Sequence, residues 1–434
     1  MADEAKPAVV GGDDDGAKRQ REEEEKKKKK SPLLHVLIIG AASAGLTIAQ
    51  GLKKAGIPFS IFERDPDDES RYRDWGMTVH WSAAYLTRCL PQAILDRLPE
   101  TQSDQQLDFD TITGFPVHNL ETGEVLKEIP LTTPRRVSRK RWRKVMMEGL
   151  DIQFSKNLVD IEYPPDGSVI AHFEDGTSAK GTTLVGADGS KSATRHLLLG
   201  DKAALTTLPY VMVNTVVRYS PEHTKQITDA IHPFCHMGYH PEGTMFWISV
   251  MDNPDPADPS QKTFQVVSTW EGALSAEESA SSPARLAALR TRISRYHPPF
   301  SHFAAWIPDD TPVHPDRIAV WDPLPVDHHA GRVCLAGDAA HNMTFHRGQG
   351  LNVALQDAAD LVEAMVRVRD ADDGGAGLAE AVRGFGELVL ERGARECGVS
   401  MLTTRLVHRW GEFMRSPIMS GAGVSALGKG DEKK

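Results

Sequence analysis

The stretch Gly331–Asp357, GRVCLAGDAAHNMTFHRGQGLNVALQD, joins a short apolar run, a carboxylate and a glycine-opened helical pattern. Arg332–Ala336 reads as a buried strand ending at Gly337, so Asp338 emerges at its C-terminal edge, where open α/β sheets bind ligands. Its carboxylate can accept hydrogen bonds there from sugar-like hydroxyls. Gly348, Gln349 and Gly350 then precede Leu351, Val353, Ala354, Leu355, Ala358, Leu361 and Val362, whose spacing is helical. The start of that helix aims free N–H groups and a partial positive charge at whatever Asp338 holds. The Gly-Asp pair alone fits a strand–turn–helix in which Asp338 merely caps a turn. The whole segment favours a site for a polar cofactor.

Working outward, a second segment of this kind opens the globular part. Leu33–Ile39, LLHVLII, is a nearly continuous apolar run, as expected of a strand buried on both faces of a parallel sheet. Gly40-Ala41-Ala42-Ser43-Ala44-Gly45 follows, then a helix to about Lys54 and a second strand over Ile57–Phe62. The first and last glycines stand where the dinucleotide fingerprint places them, while Ala42 takes the middle position, the smallest replacement available. By itself the motif also fits a tight strand–helix turn. Glu63, at the end of the second strand, strengthens the ligand reading, because a carboxylate roughly twenty residues past the first glycine accepts the hydroxyls of an adenosine ribose.

Composition narrows the class. Hydrophobic residues at 40% and charged residues at 25% describe a soluble globular protein, and 434 residues call for more than one substructure. A net charge of −10 argues against nucleic acid as a partner. Cys89, Cys235, Cys334 and Cys397 are too scattered for a zinc site, leaving no metal expected, and so few thiols in so long a chain fit core packing in a reducing compartment. No apolar run is long enough for a transmembrane segment, and Met1–Ser31 lacks the apolar core of a secretory signal. A cytoplasmic, soluble intracellular protein is the expectation. Blocks such as Asp13–Asp15, Glu22–Glu25 and Lys26–Lys30 mark residues 1–31 as a disordered charged tail.

Between the two segments, Leu158–Val185 alternates as a β-meander, and Val211–Arg218, Met245–Met251 and Thr263–Trp270 read as a separate sheet. Ala284–Tyr296 has helical spacing, and from Leu351 onward helices dominate, broken at Asp372–Gly377. The fold class expected is α/β: a Rossmann-like nucleotide-binding domain with an inserted, mainly β substrate domain and C-terminal helices. The nucleotide-binding domain is discontinuous, over 32–93, 134–203 and 325–366. The substrate domain takes 94–133 and 204–324, and residues 367–434 form the C-terminal helical region and tail.

GDAAHNMTFHRGQGLN resembles the second FAD-binding motif of the class A flavin-dependent monooxygenases, the para-hydroxybenzoate hydroxylase-like family. The resemblance extends through Gly40–Gly45, Glu63 and Gly186-Ala187-Asp188-Gly189-Ser190, and it implies FAD as the cofactor. Asp338 would contact the ribityl chain, Glu63 the adenosine ribose, Gly40, Ala42 and Gly45 the pyrophosphate, and Asp188 the pyrophosphate or NAD(P)H. The helix start at Gly350, Leu351 and Asn352 would stabilise charge on the reduced flavin. Asp188 or Ser190 also suits an N-cap of the following helix, and both roles can hold together. In Ser70–Met77 the family places an Arg-containing loop beside the flavin: Arg71 or Arg73 would neutralise phosphates and Gly76 would lie against the isoalloxazine, with a surface loop as the alternative. Arg139, in a segment resembling the family's Arg-x-x-Leu-Arg, would reach the pyrophosphate or ribityl chain. Cations at that helix start oppose its dipole and point to an anionic ligand. The chain departs from the family at Asn342 and Phe345, where Pro residues are usual.

The activity implied is a monooxygenase in which NAD(P)H reduces FAD, O2 adds at C4a as a hydroperoxide, and one oxygen passes to a small-molecule substrate, aromatic or polyketide-like as in fungal secondary metabolism. The alternatives are an FAD-dependent oxidase or reductase of the same fold, or a non-catalytic FAD-binding module. His80, His341 and His346 are candidate bases, none of them assigned. Phe234, Tyr239, Phe246, Trp247 and Trp270 are candidates either for the substrate pocket or for the core.

Overall fold

The computed structural model describes residues 34–70, 73–371 and 376–419. The charged segment 1–31, Arg71, most of the 372–377 break and the end of the chain past Met419 lie outside them.

Val36–Ile39 is almost wholly buried and forms the centre of a five-stranded parallel sheet. Its neighbours are Phe59–Phe62 and Thr183–Gly186, which are flanked by Ile152–Gln153 and Val333–Leu335. Helix Ser43–Ala55 makes the first crossover, and the sheet runs outward in both directions from Val36–Ile39. That reversal of strand order opens a crevice at the carboxyl ends, where Gly40, Glu63, Asp188 and Asp338 all emerge. The meander forms over only the first part of the expected Leu158–Val185, since Thr183–Val185 belong to the parallel sheet: Leu158–Glu162, Val169–Phe173 and Ser178–Gly181 are an antiparallel sheet. Its apolar face, with Leu158, Val169, Ala171 and Phe173, packs on Leu37, Phe62 and Leu184 of the parallel sheet.

A seven-stranded sheet gathers Gly114–Asn119 and Val125–Pro130 with Thr206–Val217, His236–His240, Thr244–Asp252, Thr263–Glu271 and Asp316–Val320. All its pairings are antiparallel except that of Gly114–Asn119 with His236–His240. Period-two alternation divides its faces. Val211, Val213, Phe246, Ile248, Phe264 and Val266 join one core with Leu289, Phe300 and Phe303 from the covering helices, and the intervening Met212, Asn214, Trp247, Gln265 and Val267 turn to the crevice.

A two-stranded ribbon, Gly76–Val79 with Arg135–Ser138, lies between the two large sheets. Arg136–Ser138, expected to open a helix that runs through Trp142, belong instead to the strand Arg135–Ser138, and the helix begins only at Arg139. Helix Gly350–Asp370 packs against Ser43–Ala55 at close range, since a Cβ on Gly51 would sit 2.6 Å from Val362. Ala376–Val407 and Trp410–Arg415 complete the C-terminal helices. The α/β fold class with an additional β sheet and C-terminal helices is as expected. All four cysteines are free and buried, and among the described residues no helix is long and apolar enough to cross a membrane.

Candidate active site

One cavity of about 710 Å³ runs from the carboxyl edge of the parallel sheet to the open face of the seven-stranded sheet. Nine of the eleven residues singled out for the cofactor border it: Gly40, Ala42, Glu63, Gly76, Arg139, Asp188, Asp338, Gly350 and Leu351. Gly45 and Asn352 stand behind its wall.

At one end, Gly40 has a φ of +104°, and a Cβ there would lie 2.5 Å from the Ala187 carbonyl oxygen. A Cβ on Gly45 would lie 1.9 Å from Gly40 O. Glycine at these two positions therefore lets strand, turn and helix close on one another, and Ala42 faces the cavity as N-cap without a side-chain hydrogen bond. Glu63, 2% exposed, accepts the Ala41 N–H at 2.8 Å and the Asp65 N–H at 3.1 Å. Arg143 donates to Ala41 O and Asp68 O and ties the turn to the loop after Glu63. Arg64, next to Glu63, closes this end with Lys156 and Asn157 at the meander's edge; the sequence reading missed them because they carry no motif.

Asp188 supports an N-cap rather than being one, since Ser192 and not Asp188 or Ser190 holds that position in the following helix. It borders the cavity, and its carboxylate accepts from Ser192 Oγ and from the Thr194 N–H and Oγ1, holding the start of helix Ala193–Leu199. Arg195, buried behind it, donates to the carbonyls of Ser190, Ala203, Asp338 and Ala339, locking the Asp188 loop to the Asp338 loop. The Asp338 side chain is open to the cavity yet lies deep in the molecule. Loss of bulk solvation pushes its carboxyl above the usual range, against the pull of His341 and Arg195. Helix Gly350–Asp370 starts beside it with no side-chain cap and no acid in its own first turn, so its N-terminal dipole faces the cavity next to the Asp338 carboxylate.

Asn352 fastens this helix start to the ribbon. Its Oδ1 accepts from the His80 N–H and Ser82 Oγ, and its Nδ2 donates to Thr78 O and Gly348 O. Beneath the Asp338 loop, the wholly buried Asp357 accepts from Gly337 N at 2.9 Å, His341 Nε2 at 2.6 Å and Arg392 Nη2 at 2.7 Å. Burial alone would lower the His341 pKa, but Asp357 brings it above the usual value; burial alone would raise Asp357, but His341 and Arg392 hold it below. The sequence reading had no signal for this group beyond a polar residue on the buried face of a helix. Asn342 anchors the loop sideways: its Nδ2 donates to Ala319 O and its carbonyl accepts from Trp321 N, whereas proline has no side-chain amide for the first contact.

None of the three candidate histidines borders the cavity. His341 is held by Asp357, and His346 bonds Thr269 and Thr404, with burial keeping it well below its usual pKa. His80 is lowered to about 4 by burial and by Arg347. Of the five aromatics, Trp247 borders the cavity and Phe234, Tyr239, Phe246 and Trp270 are core. Arg73 borders the cavity and pairs with Asp316 through two 2.8 Å contacts. The Arg139 guanidinium stacks 4.5 Å over Trp75, and the acid that complements its helix start is Asp74, which accepts from Lys140 N.

The FAD binding domain family model matches residues 34–381. The FAD-dependent monooxygenase cctM of Talaromyces islandicus is 33% identical over 389 residues, covering 89% of this chain and 95% of its own. The chain belongs to the FAD-dependent monooxygenases. A second relative, dbaB of Emericella nidulans, is 36% identical over 366 residues, 81% of this chain and 91% of its own. HpxO of Klebsiella pneumoniae, complexed with FAD and uric acid, shares the fold with a TM-score of 0.66 at 21% identity, over 91% of this chain and 93% of that one. The monooxygenase's cavity fits the cofactor by its own geometry: a glycine-tightened turn, an uncapped helix N-terminus and a buried carboxylate at one end, and an open carboxylate beside a second bare helix start at the other.

Proposed function

We propose that the monooxygenase binds FAD extended along this cavity and oxygenates a small organic, aromatic or polyketide-like substrate at its far end, with NAD(P)H as reductant and O2 as co-substrate. The observation that carries the reading is the continuity of the cavity: Glu63, Asp188 and Asp338 border the same space as Trp247, Gln265 and Asn214 of the other sheet. The segments 32–93, 134–203 and 325–366 then form the FAD domain, and 94–133 with 204–324 the substrate domain.

In this reading Glu63 accepts the adenosine ribose hydroxyls, the Gly40–Gly45 turn and the Ser43–Ala55 helix start take the pyrophosphate, and Asp338 holds the ribityl hydroxyls. When bound, FAD supplies the electron transfer and oxygen activation that amino-acid side chains lack. The protein's part is to orient the ring, favour negative charge on it through the Gly350 helix start, and exclude water with Met212, Val267, Phe345 and Trp247. The test is aerobic turnover of the FAD-loaded enzyme with NADH or NADPH and candidate phenols, followed by product mass under 18O2. One labelled oxygen atom in the product is expected. NAD(P)H oxidation with no oxygenated product across the panel would favour the oxidase or reductase alternative.

A further inference from the structure

Four arginines of the described residues are buried: Arg136, Arg143, Arg195 and Arg392. Arg143 and Arg195 are spent on main-chain carbonyls, and Arg392 on Asp357 and Asp360. Arg136 differs. It is 2% exposed and borders the cavity, yet among the described residues it meets neither a carboxylate nor a main-chain carbonyl. Its contacts are Thr78 Oγ1 at 3.4 Å and Gln265 Oε1 at 3.3 Å, both long, and its Nε has no acceptor. The guanidinium lies between the Gly76 backbone, where a Cβ would come within 2.1 Å of Nη2, and the Trp247 ring, 5.0 Å from its centroid. The bare face of Gly76, expected to receive the isoalloxazine, thus receives Arg136. Burial lowers the Arg136 pKa to about 10, so it is a cation at neutral pH. A buried guanidinium without an anion is unfavourable, and its planar fork suits oxyanions.

We propose that Arg136 is the substrate's anion receptor and that the monooxygenase selects acidic phenols or enols, bound as oxyanions against the Arg136 guanidinium with Asn214 and Gln265 alongside. This rests on the substrate lying at the antiparallel-sheet end of the cavity, as in the proposed function. No histidine among the described residues borders the cavity, and a fixed cation stabilises the ionised substrate directly. Met212, Val267 and the remainder of Trp247 supply an apolar wall for the ring. The anion has one other possible source, the flavin itself, and the substrate is favoured because Trp247 and Gln265, which frame Arg136, come from the sheet opposite the pyrophosphate turn.

The test uses oxidised, FAD-loaded enzyme without NAD(P)H, so that it is read separately from flavin reduction and would stand or fail whatever turnover shows. The probes are 4-hydroxycoumarin, an enol ionised at neutral pH, and 4-methoxycoumarin, its neutral counterpart, titrated by flavin absorbance and by calorimetry. The wild type is expected to prefer the ionised probe by about tenfold or more, as a charge-assisted pair gives. R136M and R136Q are expected to lose the preference while retaining FAD, and R136K to recover part of it. Equal binding or no binding of the probes by the wild type, or an undiminished preference in R136M or R136Q, overturns the proposal. Loss of FAD in both neutral variants would also overturn it by assigning the anion to the flavin.

Discussion

Asp338 and Glu63 are the two carboxylates that frame the proposed flavin, and each was legible because it ends a recognisable strand. What the sequence could not supply is their surroundings: that Glu63 is already engaged by Ala41 N–H, and that Asp338 keeps its carboxylate open to the cavity. Asp338→Ala is expected to weaken FAD binding by roughly 10- to 100-fold, the scale of a hydrogen bond to a charged group, in a fluorescence titration; undiminished affinity would remove Asp338 from the site. Gly45 acts differently. It does not border the cavity, but its hydrogen sits where a Cβ would overlap Gly40 O, so Gly45→Ala must push helix and turn apart. A loss of about 1–3 kcal/mol in stability is expected, together with weaker FAD binding. A variant with wild-type Tm and FAD affinity would show that the turn has slack.

At the scale of elements, alternation told which stretches are strands but not which phase faces the cavity. Phe246 and Trp247 looked equivalent in the sequence; one step along the strand sends Phe246 under the covering helices and Trp247 to the site. The Arg135–Ser138 strand was hidden for a related reason, since its four residues pair with the distant Gly76–Val79 and a run of basic residues carries no β signal of its own. The Gly337–His341 turn depends on an element far along the chain, helix Gly350–Asp370, through Asp357. Because His341 is raised, its contribution is complete below the ordinary histidine value and fades as pH rises through its higher folded-state value. Because Asp357 is depressed, its contribution is present above the ordinary carboxylate value and fades as pH falls through its lower folded-state value. The turn is therefore best anchored between these limits. His341→Gln should remove the loss of Tm on the alkaline side of neutrality, and a melting profile that keeps the wild-type alkaline slope would contradict the pairing. Asp357→Asn, which leaves buried His341 and Arg392 without their anion, should destabilise by about 3–5 kcal/mol; a change in Tm within error would show the group to be dispensable.

Over the whole molecule, two sheets of different construction share one cavity, and the Gly76–Val79 ribbon with the Arg73–Asp316 pair ties them across it. The ordered motifs at Gly40, Asp188 and Asp338 made the parallel half readable, because phosphate and ribose recognition impose fixed spacing. The antiparallel half was readable only as a sheet, because a substrate pocket is assembled from side chains far apart in sequence: Asn214, Trp247, Gln265 and Arg136 carry no shared motif. If FAD occupies this cavity in one orientation, a crystal structure of the FAD-loaded enzyme will show it. The adenosine ribose is expected within hydrogen-bond distance of Glu63, the ribityl chain at Asp338, and the isoalloxazine edge at the Gly350 helix start. Flavin density with the adenosine away from Glu63, or with Asp338 out of contact, would contradict that orientation.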